Sequence, residues 1–257
     1  MDTQAIADVA VEIFNDYFVS VDRCMSSAGA ESVLLDGRPV MLKPNLVNAS
    51  PPPVTTPPDF CEAVITVVRK YSTAPIVIAE GCGDAQLDTH AVFDKLGYND
   101  LAKRMNVALM DLNTAPLIRL TAPSCRHFHE MWLPQAIFDH VLISLPVLKA
   151  HSLCGFTGSM KNMMGAAPPA HYGGRHGTWK KAAFHDRLDA AIVDLNRYRA
   201  PDFTVMDATV GLADFHLGGA HCDPPVNRIL AGADAREVDR RAAKMLGIDW
   251  HTVGHLA

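Results

Sequence analysis

The sequence predicts an α/β fold, with a mainly parallel sheet covered by helices on both faces in a Rossmann-like, three-layer arrangement. Two hydrophobic periods alternate along the chain: short apolar runs rich in branched residues, and segments with the three- and four-residue spacing of helices. The 257 residues, 49% of them hydrophobic, are enough for one large core. We therefore predict that residues 1–257 form a single α/β domain.

Six short apolar runs are predicted to be strands buried on both faces of the sheet. They are residues 39–42, 75–79, 107–112, 140–145, 203–206 and 228–231.

Four apolar stripes of helical period separate these runs. They comprise Ile6, Val9, Ile13, Phe14 and Tyr17; Phe60, Val64, Val67, Val68 and Tyr71; Leu188, Ile192, Leu195 and Tyr198; and Val238, Ala242, Met245 and Leu246. Pro57 and Pro58 before Asp59 suit a helix start, and Gly247 suits a helix end. Residues 47–56 and 163–178 are predicted to be long loops, which are more often functional lids or clamps than idle connectors, with simple disorder as the alternative.

Charge and cysteine content exclude several classes of partner. The net charge of −5 is scattered, so no basic face is available for nucleic acid. The six cysteines never form Cys-x-x-Cys, which argues against a zinc ribbon or an iron-sulfur cluster in this chain and suits reduced thiols. The N-terminal stretch is acidic, and no apolar run approaches the roughly 20 residues that span a bilayer. We therefore expect a cytoplasmic protein without a membrane partner.

Polar residues follow four of the predicted strands, where parallel sheets bind their ligands. They are Lys43 and Asn45; Glu80, Gly81 and Asp84; Lys149 and His151; and Asp207. The alternative for each residue is an ordinary strand-end turn or a salt bridge at the rim. Their coincidence at one edge favours a shared ligand site.

The segment from Leu145 to Gly165, LPVLKAHSLCGFTGSMKNMMG, has the composition of an anion-holding loop. Glycines at 155, 158 and 165 let the backbone turn tightly and present N–H groups to a ligand. The neutral donors and the cations of the segment are Thr157, Ser159 and Asn162, with Lys149 and Lys161. The alternative is a flexible surface loop with solvated lysines.

Simple electrostatics predicts which of these side chains hold an anion and which transfer a proton. Two ammonium groups about 7 Å apart repel by roughly 2.4 kcal/mol at an effective dielectric of about 20, which lowers one pKa by about 1.7 units from roughly 10.4. That lysine stays mostly charged at pH 7 and holds an anion. His151, with an ordinary pKa near 6.5, is then the predicted general acid or base, and a nucleophilic Lys161 requires a desolvated loop.

Familiar motifs for other chemistries are incomplete or missing from the sequence. Residues 81–86 lack the third glycine of the dinucleotide fingerprint, and neither a P-loop nor a G-x-S-x-G elbow occurs. His127 with His129, and His216 with His221, could ligate a metal, but chance neighbours are expected among twelve histidines. We predict no metal site.

Several motifs resemble the prokaryotic family known as domain of unknown function 362, over about residues 40–247. They are Lys43-Pro44-Asn45-Leu46-Val47, Glu80-Gly81, residues 145–151, residues 157–162 followed by Gly165, and Val205-Met206-Asp207-Ala208. Many members of that family carry a ferredoxin-like cluster domain. This chain has no cluster-binding cysteine run, so it departs from them there.

A more distant resemblance is to lactate racemase. His151, Gly155, Thr157-Gly158-Ser159 and Lys161 fall at the offsets of its motif. The resemblance implies that Lys161 corresponds to a lysine tethering a nickel-pincer nucleotide, and His151 to a site histidine. The other histidines of the racemase cannot be placed here, so the identity of any cofactor stays open.

The function predicted is an enzyme that binds a small carboxylate or phosphorylated molecule at the carboxyl edge of the sheet, with racemase-like Lys/His acid–base chemistry. Lys43, Asn45, Lys149 and Lys161 would hold the anion, and Glu80 or Asp207 would orient a lysine. The alternatives are a non-catalytic module that binds a cofactor or docks a separate redox partner protein, and a purely structural rim of salt bridges.

Overall fold

One mixed sheet organises the molecule. In a computed structural model, which describes residues 9–174 and 180–257, nine strands form this sheet and a hairpin of two further strands packs beside it. The strands are β1 (Ala10–Ile13), β2 (Val40–Pro44), β3 (Ile76–Glu80), β4 (Ala108–Asp111), β5 (Leu117–Thr121), β6 (Glu130–Pro134), β7 (Val141–Leu145), β8 (Val147–His151), β9 (Gly155–Thr157), β10 (Phe203–Leu212) and β11 (Arg228–Gly232). The α-helices are α1 (Tyr17–Ser27), α2 (Ala30–Leu34), α3 (Pro58–Tyr71), α4 (Thr89–Lys95), α5 (Tyr98–Met105), α6 (Ala136–Asp139), α7 (Ser159–Asn162), α8 (Pro169–Tyr172), α9 (Leu188–Tyr198) and α10 (Ala235–Met245). Three 3₁₀ turns cover Met163–Ala166, Ala182–Arg187 and Trp250–Thr252.

The sheet is mainly parallel, as the sequence predicted. Its order is β1-β11-β10-β7-β2-β3-β4, in which β10, β7, β2, β3 and β4 are parallel neighbours and β11 runs antiparallel to β10 and β1. Successive residues of β2 enter opposite cores: Met41 packs in one hydrophobic cluster, and Val40 and Leu42 pack in the other. Helices cover both faces, so the α/β, three-layer fold class is confirmed.

All six predicted strands form, and α3, α9 and α10 occupy three of the four predicted helical stripes. The first stripe is wrong for Val9, Ile13 and Phe14, because Ala10–Ile13 is an edge strand paired with β11. Only Tyr17 of this stripe is helical: it begins α1, which Asp16 caps. Val9 and Val11 pack toward one core while Ala10 belongs to the other, an alternation that suits a strand. Ile6 lies outside the described residues.

The predicted loops differ from each other. Residues 47–56 contain neither helix nor strand. Residues 163–172 instead contain a 3₁₀ turn and α8, and residues 175–178 of that predicted loop lie outside the described part. Within the described ranges, no helix is long and apolar enough to cross a lipid bilayer.

A change of strand pairing at Pro146 creates the space for a site. Before it, β7 lies between β2 and β10; after it, β8 pairs with β10 and β9 but no longer with β2. The sequence analysis placed Lys149 and His151 after a strand, whereas they lie within β8. The Asn162 amide spans the gap by donating to the Lys43 backbone oxygen and to Ser144 Oγ, each at 3.0 Å.

Candidate functional site

A cavity of about 100 Å³ lies at the carboxyl edge of the sheet, between the ends of β2, β3 and β8. The predicted site residues on its wall are Asn45, Glu80, Gly81, His151, Thr157, Lys161 and Asn162. These residues come from four separate stretches of the chain. The structure therefore brings them together, as the strand-end argument expected.

A buried ion pair lies beneath the cavity, where Glu80 forms part of the wall. Lys43 Nζ lies 2.9 and 3.0 Å from the two carboxylate oxygens of Glu80, and both side chains are almost completely buried. The same carboxylate accepts the backbone N–H groups of Leu46 and Gly81. Burial lowers the pKa of Lys43, and the adjacent Glu80 opposes that shift. Glu80 therefore already has a cationic partner before any ligand enters.

A chain of hydrogen bonds joins this pair to Lys149. Lys43 Nζ and the Asn45 amide both donate to Asn162 Oδ1, at 3.2 and 3.4 Å. Lys149 Nζ in turn donates to Asn45 Oδ1 and to the Val54 backbone oxygen. Lys149 is only 3% exposed and lies behind the cavity wall. Burial, reinforced by the charge of Lys161, lowers its pKa to about 7.

Two glycines let the backbone close around the ion pair. A Cβ at Gly165 would overlap Glu80 Oε1, and a Cβ at Gly81 would overlap the Gly165 backbone oxygen. Any side chain at either position would therefore displace the carboxylate or separate β3 from the turn after α7.

Lys161 presents an amine to the cavity. The side chain lies at the end of α7 and has no hydrogen-bond or ion-pair partner among the described residues. Burial lowers the pKa of this lysine. The desolvation that the sequence analysis required for a reactive Lys161 is thus present in the fold.

His151 is fixed as a neutral hydrogen-bond donor. Its Nδ1 accepts the backbone N–H groups of Leu153 and Cys154 at 3.1 and 3.4 Å, which leaves the proton on Nε2. The ring stacks on His216 with centroids 3.8 Å apart. Burial and then the charge of Lys161 lower the pKa of His151 to about 2. It does not keep the value near 6.5 that its predicted acid–base role assumed.

Three wall residues were missed by the sequence analysis as members of this site. Lys181 Nζ donates to Asn113 Oδ1 and the Ala167 backbone oxygen, and burial lowers its pKa to about 7. His185 and His216 also line the cavity, and burial lowers the pKa of His216 to about 3. All three come from segments without strand or helix periodicity. Only the high local density of histidine and lysine could have pointed to them.

Besides Lys43 and Lys149, five predicted residues lie away from the cavity wall. Asp84 accepts the backbone N–H groups of Gln86 and Leu87, within its own turn. Gly155 has a φ of +74°, which reverses the chain between β8 and β9. Gly158 packs against Asp239, whose carboxylate accepts the backbone N–H of Ser159.

The Ser159 hydroxyl is already hydrogen-bonded within the protein, because its Oγ lies 2.7 Å from Thr204 Oγ1. Asp207 bonds the Tyr17 hydroxyl at 2.9 Å and the Thr209 backbone N–H. The sequence predicted that β10 ends before Asp207, but the strand continues to Leu212 and turns this carboxylate toward α1. Burial raises the pKa of Asp207.

The stability of the unliganded protein is expected to rise between pH 7 and pH 8. Lys149 and Lys181 have a folded pKa of about 7 against 10.5 when unfolded, so in this range the unfolded chain binds more protons. Each lysine then adds about 1 kcal/mol to the free energy of unfolding. The raised carboxyl pKa values of Asp207 and Asp239 act in the opposite direction.

Urea denaturation at the two pH values measures this slope. We expect a net gain of roughly 1–2 kcal/mol in the wild type, and a smaller gain in Lys149→Met. The range stops at pH 8 because cysteines begin to ionise above it. A wild-type stability that is flat or falls with pH, unchanged by the substitution, would contradict the lowered lysine pKa values.

The residues fit only part of the cofactor that the racemase resemblance implies. The amine of Lys161, which has no hydrogen-bond or ion-pair partner in the described ranges, suits a tether. No group of three or more His, Cys, Asp or Glu side chains in residues 9–174 and 180–257 is arranged to hold a metal, however. Within the part of the chain that the structure describes, the ligand set is therefore missing, and no step below uses nickel.

Comparison with known proteins places the fold and the family. The chain is 26% identical over 234 residues to the thylakoid-associated protein sll1697 of Synechocystis sp., a match that covers 89% of this chain and 69% of that protein. The lactate racemase apoprotein of Thermoanaerobacterium thermosaccharolyticum is similar in fold, with a TM-score of 0.51 and 13% identity. That match covers 93% of this chain, which spans 56% of the racemase chain. The model of one family matches residues 40–244, so the chain belongs to the family described as domain of unknown function DUF362.

Proposed function

We propose that this protein is an enzyme that binds a small carboxylate or phosphorylated acid in the cavity and moves a proton on it through Lys161. The observation that carries the proposal is the Lys161 amine, which lies on the cavity wall without a hydrogen-bond or ion-pair partner among the described residues, in surroundings that lower its pKa. A racemase-like fold is compatible with such a role, although at 13% identity that likeness concerns the fold alone.

The charges around the cavity favour an anion. Lys161 and Lys181 lie on its wall, and Lys149 lies behind it. Among the described residues that line the cavity, Glu80 is the only carboxylate, and Lys43 already neutralises it. An anion would restore favourable surroundings for the protonated lysines, so we expect binding to take up protons near pH 7 and to weaken as the pH rises above it.

The arrangement suits proton transfer at the carbon next to an acid group. A neutral Lys161 amine would accept the proton, and the electrons of the broken C–H bond would move onto the neighbouring carboxyl or carbonyl oxygen. The Nε2–H of His151 would donate to that oxygen, as a neutral imidazole held in one tautomer can. Return of the proton to the opposite face of that carbon, or to the neighbouring carbon, would complete an isomerisation without any redox change.

Hydrogen exchange at carbon tests this proposal. The protein would be incubated in D₂O with a panel of 2-hydroxy, 2-keto and phosphorylated three-carbon acids, and proton NMR would follow loss of the signal from hydrogens on the carbon next to the carboxyl or keto group. We expect exchange in at least one acid. Binding of the acids without exchange across the panel would overturn the enzymatic proposal and favour the alternative, a non-catalytic cofactor-binding or electron-transfer partner module.

Mass spectrometry of the intact native protein gives an independent outcome. An unmodified mass leaves the Lys161 amine free for the proposed role. An adduct on Lys161 would instead identify a tethered cofactor and overturn the role of this lysine as the base.

A further inference from the structure

A second pocket opens directly outside the cavity. Its volume is about 300 Å³, and it shares four wall residues with the inner cavity. The shared residues are His151, His185, His216 and Leu217. The remaining wall includes Leu153, Ala182 and Phe215. The inner cavity is rich in lysine, whereas this outer pocket carries no lysine or carboxylate among its described residues.

Two large apolar side chains stand at the mouth of this outer pocket with much of their surface in water. Leu153 is 70% exposed and Phe215 is 41% exposed. Among the described residues, six large hydrophobic side chains are exposed, and these two belong to the same pocket. Apolar surface held open in a concave site is typical of ligand-binding grooves.

A backbone hydrogen bond anchors the turn that carries Leu153, and a ring contact anchors Phe215. The Leu153 backbone N–H donates to His151 Nδ1, so the turn that carries Leu153 is tied to the site histidine. The Phe215 ring packs edge-on against His216, with centroids 5.0 Å apart and an angle of 65°. His216 stacks on His151 at the boundary between the two pockets. The stack therefore places an uncharged aromatic surface beside the polar cavity.

We propose that the outer pocket binds an apolar substituent of the same small anion whose acid group occupies the inner cavity. The substrate class is then an acid, either a carboxylate or a phosphate ester, that carries an alkyl or aryl chain of a few carbons. Leu153 and Phe215 determine specificity for that chain. This inference rests on the proposed function, because it takes the position of the acid group from it.

A chain-length series tests the inference. Straight-chain carboxylates of two, four, six and eight carbons, and the matching alkyl phosphates, would be titrated calorimetrically into the wild type, Leu153→Ser and Phe215→Ser. We expect wild-type affinity to rise about three- to four-fold per methylene until the pocket is full. Both variants should flatten this rise and leave the affinity for acetate unchanged, because neither side chain lines the inner cavity.

Two controls separate the inference from the function on which it rests. Leu35→Ser removes another exposed apolar side chain, 65% exposed and outside both pockets, and should keep the wild-type slope. Lys161→Met should weaken all chain lengths of both series in parallel.

Binding of short acids with no dependence on chain length would overturn the apolar subsite and leave the anion site standing. An equal loss of slope in Leu35→Ser would also overturn it, as non-specific surface binding. Failure of every acid to bind would overturn the proposed function, and the subsite with it. If affinity rises with chain length only among the carboxylates, or only among the alkyl phosphates, that series identifies the acid group that the inner cavity accepts.

Discussion

Replacement of Glu80 by Gln is expected to destabilise the protein by about 3–5 kcal/mol at pH 7. The substitution keeps the shape of the side chain but leaves the Lys43 ammonium in a nearly waterless site, where its remaining neighbours are the neutral oxygens of Asn162 and Pro44. For a chain of this size the loss corresponds to a fall of roughly 6–20 °C in Tm. Urea denaturation followed by circular dichroism measures it.

Two companion variants test the cause. The double variant Lys43→Met with Glu80→Gln removes both charges and should recover most of the lost stability, because an apolar side chain tolerates burial where an unpaired ammonium does not. Lys70→Ala breaks the exposed pair with Asp22 and should cost under about 1 kcal/mol. If Glu80→Gln costs no more than Lys70→Ala, the ion pair beneath the cavity does not stabilise the protein.

Lys161 variants are expected to have the largest effect on activity. Arginine retains the positive charge but cannot lose its proton at physiological pH, so Lys161→Arg should still bind small acids while losing about 10²- to 10⁴-fold in the rate of hydrogen exchange at carbon. Lys161→Met removes charge and base together and should lower both affinity and exchange. The two variants thus separate an anion-holding lysine from a proton-accepting one.

The matched control is Lys103→Arg, on an exposed helix surface, where exchange should be unchanged. The pH dependence provides a second check, since exchange by the wild type should increase as Lys161 loses its proton and then fall as anion binding weakens. Exchange by Lys161→Arg at the wild-type rate would show that another group is the base. Lys181, with its pKa lowered to about 7, would then be the next candidate.

The elements predicted correctly are those with a local, repeated signal. The run before Lys43 could be predicted because a strand buried on both faces is a continuous apolar run. The stripe from Phe60 to Tyr71 could be predicted because a helix buried on one face has apolar residues at intervals of three and four. The N-terminal stripe failed because its apolar residues satisfy both periods, and the choice between them depends on β11, more than 200 residues away in sequence. Pairing with a distant strand has no local signal.

The candidate site likewise contains residues that could be predicted from the sequence and residues that could not. Lys43, Asn45, Glu80, Lys161 and Asn162 could be predicted to converge, because the carboxyl ends of parallel strands share one edge of the sheet. Asp207 failed because only the paired strand shows that β10 continues past it. Lys181 and His216 lie in irregular segments, and the positions of these segments depend on tertiary packing.

The sequence by itself determined the α/β architecture, the edge of the sheet that carries the candidate site, and the cationic, glycine-rich character of that edge. Only the tertiary structure decided which lysines are paired, buried or facing the cavity, and therefore which groups can hold or release a proton near pH 7. The physical reason is that the cost of desolvating a charge depends on every neighbour around it, and those neighbours come from segments far apart in the chain.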